Sequence, residues 1–173
     1  MDPRPMSRGE ALRVLLGTPM GLALLSLLEA CSAGGPRPIR VGEEECAHCR
    51  MRISQEAFAA QAMNDRGRSW TFDSIECLTE WLLQENEVPE ARIQGAWVTD
   101  FHAPGEWLRA HEAIYLRSEG LRSPMGLGLS AYSGSGAAHG QADAHGGDVL
   151  SWTDVRTLVS DTPLRGGGAG HGH

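Results

Sequence analysis

With 173 residues, of which 41% are hydrophobic and 21% charged, the chain has room for one ordinary domain, and this composition argues against wholesale disorder and against a protein with several membrane spans. The formal net charge of -7 argues against nucleic acid as a partner, because proteins that bind phosphate backbones concentrate Lys and Arg. Glycines cluster late in the chain, which indicates flexible segments there.

The N-terminus is predicted to be an export signal with a lipid attachment site. Arginines precede an apolar stretch at residues 14–28, which has the length of a signal-peptide core and is too short and interrupted to span a bilayer comfortably. The stretch runs into Leu-Glu-Ala before Cys31, which resembles the lipobox of bacterial lipoproteins, although Glu29 departs from that pattern. We therefore expect residues 1–30 to be a signal peptide and residues 31–42 to be the lipidated cysteine with a flexible Gly/Pro linker.

The remaining chain is predicted to fold as one α+β domain made of two similar halves. This metal-binding domain is expected at residues 43–160, with the halves at about 43–100 and 110–160. Residues 161–173 form a Gly/His tail with no apolar face to bury, which predicts disorder.

In the first half, the sequence predicts several strands and one capped helix. Asp73 or Ser74 is expected to cap a helix that runs to Gln84, because apolar residues recur there every three or four positions. Apolar runs separated by turn residues predict the strands. These strands are expected at residues 51–53, 57–63, 69–72 and 96–99.

The second half is predicted to repeat this order, with strands at 113–116, 125–132 and 149–150. Residues 134–147 are interpreted as a long Gly/His loop, and a helix is expected to begin near Ser151 or Thr153. Aligned in this way, the halves place Met51 and Met125 at equivalent positions. Packing about a pseudo-twofold axis would then bring both sulfurs to one site.

Sulfur side chains are concentrated in the sequence Cys-Ala-His-Cys-Arg-Met at residues 46–51. A C-x-x-C turn lets two thiolates converge on one ion, and no second pair follows that would complete a zinc ribbon. Thiolate and thioether together favour Cu(I), which accepts two or three ligands. The predicted metal ligands are Cys46, Cys49, Met51 and Met125, with His48, Met63 and Cys77 as possible additional ligands.

Spacing alone leaves other functions open. An exported cysteine pair also suits a plain disulfide or a thiol-disulfide oxidoreductase that uses Cys46 and Cys49. A structural lipoprotein with a metal-scavenging His tail is another alternative, and a thiol enzyme acting on carbon-metal bonds, with Asp73 as its carboxylate, is a more remote one. Cys77 lies on the apolar side of the predicted helix, where a cysteine is often a small buried hydrophobe.

Four segments form a combination that is more specific than any one of them. They are Cys46-x-x-Cys49-x-Met51-x-Ile53, Phe58-Ala-Ala-Gln61, Phe72-Asp73-x-Ile75-x-Cys77-Leu78-x-x-Trp81 and Ser123-Pro-Met125-Gly-x-Gly128. Together they resemble the NosL family, the accessory lipoproteins of nitrous oxide reductase, over about residues 43–132.

The resemblance implies a non-enzymatic Cu(I) chaperone with two small ββαβ halves. It implies a lipid-anchored protein on the periplasmic face of a bacterial membrane, which supplies the copper-sulfur centre of nitrous oxide reductase directly or through its maturation complex in the membrane. The copper ligands it implies map onto the Cys46/Cys49 pair, Met51 and Met125.

Overall fold

A computed structural model describes residues 35–84, 89–162 and 164. The predicted signal peptide, the lipidation site Cys31 and nearly all of the Gly/His tail lie outside the described residues. Within the described ranges, no helix is long and apolar enough to cross a membrane.

The first half is an antiparallel sheet of four strands, in the order β2-β1-β3-β4, with one helix packed against β1 and β2. The helix begins after Ser74, whose hydroxyl accepts a hydrogen bond from the Cys77 N–H at 3.1 Å. Its predicted apolar stripe is buried against the sheet. The elements are β1 (Ala60–Asn64), β2 (Ser69–Phe72), α1 (Ile75–Leu83), β3 (Ile93–Asp100) and β4 (Ala103–Arg109).

The second half is an antiparallel sheet of three strands, in the order β6-β5-β7, followed by a last helix that contacts α1. That helix begins with a capping box, in which the side chains of Ser151 and Asp154 each accept a hydrogen bond from the other residue's backbone N–H. The elements are β5 (Ile114–Arg117), β6 (Leu129–Tyr132), α2 (Ser135–His145), β7 (Asp148–Leu150) and α3 (Trp152–Asp161).

The prediction of an α+β fold with two similar ββαβ halves is confirmed, but the two halves align differently from the prediction. The order β1-β2-α1-β3 is repeated by β5-β6-α2-β7, and in each half the first strand lies between the other two. The predicted loop at 134–147 is therefore wrong, because it contains α2, the counterpart of α1. Met51 precedes β1 whereas Met125 lies between β5 and β6, so the two methionines are not equivalent.

Two other local differences have simple physical causes. Residues 51–53 form no strand and make one isolated bridge, between Arg52 and Glu45. β4 was not predicted because its Pro104 and Gly105 resemble a turn, yet an edge strand tolerates both residues since one side of it needs no ladder hydrogen bonds.

The largest apolar core is shared by the two halves. Phe72 and Leu78 from the first half lie in the same buried cluster as Tyr115 and Leu129 from the second half. Cys46 and Cys77 also belong to this cluster and are fully buried. The sulfur chemistry is therefore placed in the core that the halves share.

Candidate metal centre

Three cysteines from two segments of the chain meet in this core. The Sγ atoms of Cys46, Cys49 and Cys77 all lie within 4.8 Å of one another, and all three cysteines are free thiols. Cys46 and Cys77 have no exposed surface, whereas Cys49 is half-buried. Over the ranges that the structure describes, this is the one group of three or more Cys, His, Asp or Glu side chains close enough to share an ion.

Backbone hydrogen bonds fold the Cys46–Met51 segment into a closed turn. The Cys46 N–H donates to the Met51 carbonyl at 2.8 Å, and the Arg50 N–H donates to the Cys46 carbonyl at 3.1 Å. Arg50 takes the left-handed conformation, with φ of 65°, which reverses the chain between Cys49 and Met51. The Ala47 N–H donates to the carbonyl of Thr71 in β2, at 2.8 Å, and so attaches the turn to the sheet.

The third thiol comes from the first turn of α1. The Ser74 cap fixes the start of this helix, and Asp73 just before it accepts hydrogen bonds from the backbone N–H and the hydroxyl of Ser54, at 2.7 and 3.2 Å. Ser54 follows the cysteine-containing turn in sequence. These bonds therefore hold the turn and the helix start in one register, which brings the Cys77 sulfur to the other two.

The three cysteine thiols differ in pKa. Hydrogen bonding from Cys77, helped by the backbone N–H groups of Asp73, Cys49 and His48, lowers the Cys46 pKa to about 5 against the opposing effect of burial. Burial and the negative charge on Cys46 raise the pKa of Cys49. The pKa of Cys77 is raised because its S–H is bonded to Cys46 and because it is buried. At neutral pH the metal-free cluster therefore holds one thiolate and two thiols.

His48, a possible additional ligand in the sequence, is paired with a carboxylate on α1. Its Nε2 lies 3.2 Å from Glu80 Oε2, and its side chain is only 5% exposed. This contact is a second attachment of the cysteine-containing turn to the helix. The imidazole is paired with Glu80 and is not a member of the group of three sulfurs.

The three methionines that the sequence predicts as ligands or possible ligands differ in their exposure and in the direction of their side chains. Met51 is the last residue of the closed turn, and it is 48% exposed. Met125 is half-buried and packs against the core cluster that contains Cys46 and Cys77. Met63 is buried in β1, but alternate residues of a strand point to opposite faces, and Ala60 and Ala62 are the ones that face this cluster. Met63 therefore points away from the thiols.

Sequence reasoning underestimated Cys77, which it ranked among the possible additional ligands. The signal that identifies it is its position on the buried stripe of α1, next to Leu78, because that stripe faces the core that also contains Cys46. A buried cysteine on this stripe was taken for an apolar residue of the core. It contributes to the core and to the cluster of thiols.

The geometry suits a three-coordinate soft metal ion. A metal-sulfur bond is about 2.3 Å long, so three sulfurs in a plane around one ion lie about 4 Å apart. Sulfurs that already lie within 4.8 Å need to move by less than 1 Å to reach that arrangement. Thiolate ligands select soft ions such as Cu(I) over hard ions such as Mg²⁺ or Ca²⁺.

Similar proteins are found among protein families and among solved structures, but not among curated sequences. The family model NosL matches residues 38–159. Among solved structures, the crystal structure of the copper chaperone NosL from Shewanella denitrificans matches with a TM-score of 0.58 and 17% identity, over 69% of this chain and 96% of that chain. Among curated protein sequences, none matches this chain. At this low identity the structural match demonstrates a shared fold, while the family model covers most of the domain.

Proposed function

The chain belongs to the NosL family, and on this premise we propose that it carries Cu(I) on the sulfurs of Cys46, Cys49 and Cys77 and delivers the ion to the copper-sulfur centre of nitrous oxide reductase. The family and the structural neighbour both support a copper-chaperone role. The observation that carries the proposal is the group of three free thiols within 4.8 Å of one another.

Coordination number and charge favour Cu(I) over other ions at this site. Structural zinc sites have four ligands, whereas this group offers three, and the nearby Asp73 and Glu80 are hydrogen-bonded to Ser54 and His48. Cys46 is already a thiolate at neutral pH, so it can bind a soft cation without first losing a proton. Three thiolates are a sufficient set of ligands for Cu(I), so a thioether that approaches the ion is an additional and weaker ligand.

Delivery is supported by the increase in exposure from the buried thiols to the surface. Cys46 and Cys77 are fully buried, Cys49 is half-buried and Met51 is 48% exposed. A sulfur ligand from an acceptor protein can therefore approach the ion from the side of Cys49 and Met51. In this proposal the Met51 thioether is a weak, exchangeable ligand that binds the ion while it is being transferred.

A thiol-disulfide oxidoreductase is less well supported by the same cluster. Its low pKa makes Cys46 a thiolate, but a redox-active cysteine must also meet its substrate disulfide, and Cys46 has no exposed surface. Burial favours a small ion over a protein disulfide as the species that reaches this sulfur.

We also propose that the domain works close to a membrane surface on the periplasmic side, attached through lipid on Cys31. The lipobox-like sequence supports the attachment. Ile39 is buried with Ile53 and Ala59, so the chain is fixed to the domain from that residue on. The eight steps of chain from Cys31 to Ile39 reach at most about 29 Å. Treatment of cells with a lipoprotein signal-peptidase inhibitor should leave the precursor uncleaved; normal processing would contradict this part of the proposal.

The copper proposal is tested with the reduced full-length chain under anaerobic conditions. Native mass spectrometry should show one copper ion per chain, and X-ray absorption should show a shell of sulfur neighbours at about 2.3 Å. Cys46→Ser and Cys77→Ser should each weaken binding in competition with a Cu(I) chelator, whereas Met63→Leu, a sulfur removed from the opposite face of β1, should not. Absence of copper uptake, or a shell of nitrogen and oxygen, would exclude the proposed site.

Delivery is tested separately from binding. The copper-loaded chain is mixed with copper-depleted nitrous oxide reductase, and recovery of reductase activity is followed with time. Met51→Leu should slow the recovery more than it weakens copper binding. If free Cu(I) restores activity as fast as the loaded chain does, the chain has no delivery role.

A further inference from the structure

A buried carboxyl group directly precedes Cys77 on α1 and has no role in the proposed copper site. Glu76 is in the first turn of α1, next to Cys77, and its side chain has no exposed surface. Its Oε1 accepts a hydrogen bond from the hydroxyl of Ser123, which belongs to the second half of the domain. Its Oε2 makes no hydrogen bond to the described residues. Burial raises the pKa of this carboxyl group, while the Ser123 and Ser74 hydroxyls and the Leu129 N–H oppose that rise. A carboxyl group in this state is costly to bury, and an apolar side chain would fill the helix face at lower cost.

The Ser123 hydroxyl is also the closing point of the loop that carries Met125. It accepts a hydrogen bond from the Gly128 N–H at 2.9 Å, and the Gly126 N–H donates to the Ser123 carbonyl at 3.0 Å. Gly128 has a positive φ of 70°, and a Cβ at this position would lie 2.0 Å from the carbonyl oxygen of Ser118. The loop at 123–128 is therefore closed by its own hydrogen bonds, and a side chain at Gly128 would displace the backbone of Ser118.

A continuous chain of hydrogen bonds thus joins the second half to the turn of α1 that carries Cys77. It runs from the Gly128 N–H to the Ser123 hydroxyl and from that hydroxyl to Glu76. One end of this chain is in the helix turn that positions Cys77, and the other is in the loop whose Met125 packs against the cysteine-containing core.

We propose that Glu76 is a positioning residue for copper binding, which holds the Met125 loop against α1 so that the Met125 thioether stays within reach of an ion on the three thiols. The inference rests on the proposed function and adds a fourth sulfur to the site. The burial of a carboxyl group on this helix is then explained by the loop that it fixes.

The test measures Cu(I) affinity and the number of sulfur neighbours in the full-length chain. Glu76→Ala should weaken Cu(I) binding about 10-fold, as the loss of an outer-shell partner typically does, and should remove one sulfur from the X-ray absorption shell. Glu76→Gln keeps an oxygen that accepts from Ser123 and should retain both properties. Ser123→Ala breaks the same link from the other side, so it supports the test where Glu76→Ala folds poorly. Thr79→Val is the matched control, since the Thr79 hydroxyl is buried on the same helix but donates to the carbonyl of Ile75.

The decisive comparison is made in a Met125→Leu background. If Glu76 acts through Met125, then Glu76→Ala causes no further loss of affinity there. An equal loss in both backgrounds, or a wild-type affinity in Met125→Leu itself, would overturn the inference. The proposed function would survive either result, because its own test is copper binding by the three thiols.

Discussion

Cys77→Ala removes the hydrogen bond that contributes most to the low pKa of Cys46. The backbone N–H groups of Asp73, Cys49 and His48 still stabilise the thiolate in this variant, and burial still opposes it. The Cys46 pKa is therefore expected to rise but not to reach that of a buried thiol without donors.

The size of the effect follows from the Cys46 pKa. The wild-type value is about 5, compared with an ordinary value of 9.0. We expect the loss of the largest contribution to raise this pKa by about 2. This corresponds to about 3 kcal/mol less stabilisation of the thiolate. At pH 7 the ionised fraction of Cys46 should then fall from about 99% to about one half.

The assay is a pH titration of the metal-free, reduced chain labelled with ¹³C at the cysteine Cβ atoms, because each Cβ chemical shift reports the ionisation of its own thiol. Cys49→Ala is the control. It keeps the backbone N–H that Cys49 donates to Cys46, so the Cys46 pKa should change by less than about 1. If Cys46 titrates near 5 in Cys77→Ala as well, the S–H of Cys77 is not the source of its acidity.

Three further predictions test charge, proton release and helix capping. The Arg37 hydrogen bond lowers the Glu44 pKa to about 2, so this pair stabilises the fold above pH 4.5 and loses its effect as the pH falls through 2. Since Arg37 is half-exposed, Arg37→Ala should lower the free energy of unfolding in urea by about 1 kcal/mol at pH 7 and by almost nothing at pH 2. Loading the three-thiolate site with Cu(I) at pH 7 should release about two protons, because Cys46 is already ionised, and a pH-indicator titration that shows three would contradict its low pKa. Ser151→Ala should lower the unfolding free energy by about 1 kcal/mol through loss of the capping box, whereas Ser160→Ala, at the exposed end of α3, should change it by less than about 0.5 kcal/mol.

Helices with an apolar stripe and a polar cap could be predicted from the sequence, and the helix that lacks both could not. α1 was predicted to begin at Asp73 or Ser74 and α3 near Ser151 or Thr153, within two residues of the observed caps, Ser74 and Ser151, because local hydrogen bonding determines where such helices begin. The helix at Ser135–His145 has no side-chain cap and only Ala138 is buried, so its Gly, Ala and His residues show no periodic pattern. This helix occupies the same place after β6 that α1 occupies after β2. Its contacts with β5, β6 and β7 are tertiary, and the local sequence does not reveal them.

The same division between local and tertiary information applies to the proposed metal centre. Cys46 and Cys49 could be paired from their spacing, because a short turn brings such residues together wherever it occurs. Cys77 joins them through the register between that turn and α1, which depends on the contacts of Asp73 with Ser54 and of His48 with Glu80. The spacing of the cysteines in the sequence does not predict this register between the turn and α1.

The donors around Cys46 indicate what a buried soft-metal site requires besides sulfur. An isolated thiolate in an apolar core is unfavourable, and in the metal-free protein it is stabilised by the Cys77 S–H and by backbone N–H groups from both the turn and the start of α1. A cation that binds Cys46 takes over the role of the Cys77 proton, while the backbone groups of Asp73, Cys49 and His48 stay in place to stabilise the remaining negative charge. The affinity of the site therefore depends on how the turn and the helix are held together as well as on the identity of the ligands. Substitutions such as Ser54→Ala, which weaken that attachment without removing a sulfur, should raise the Cys46 pKa and weaken copper binding together.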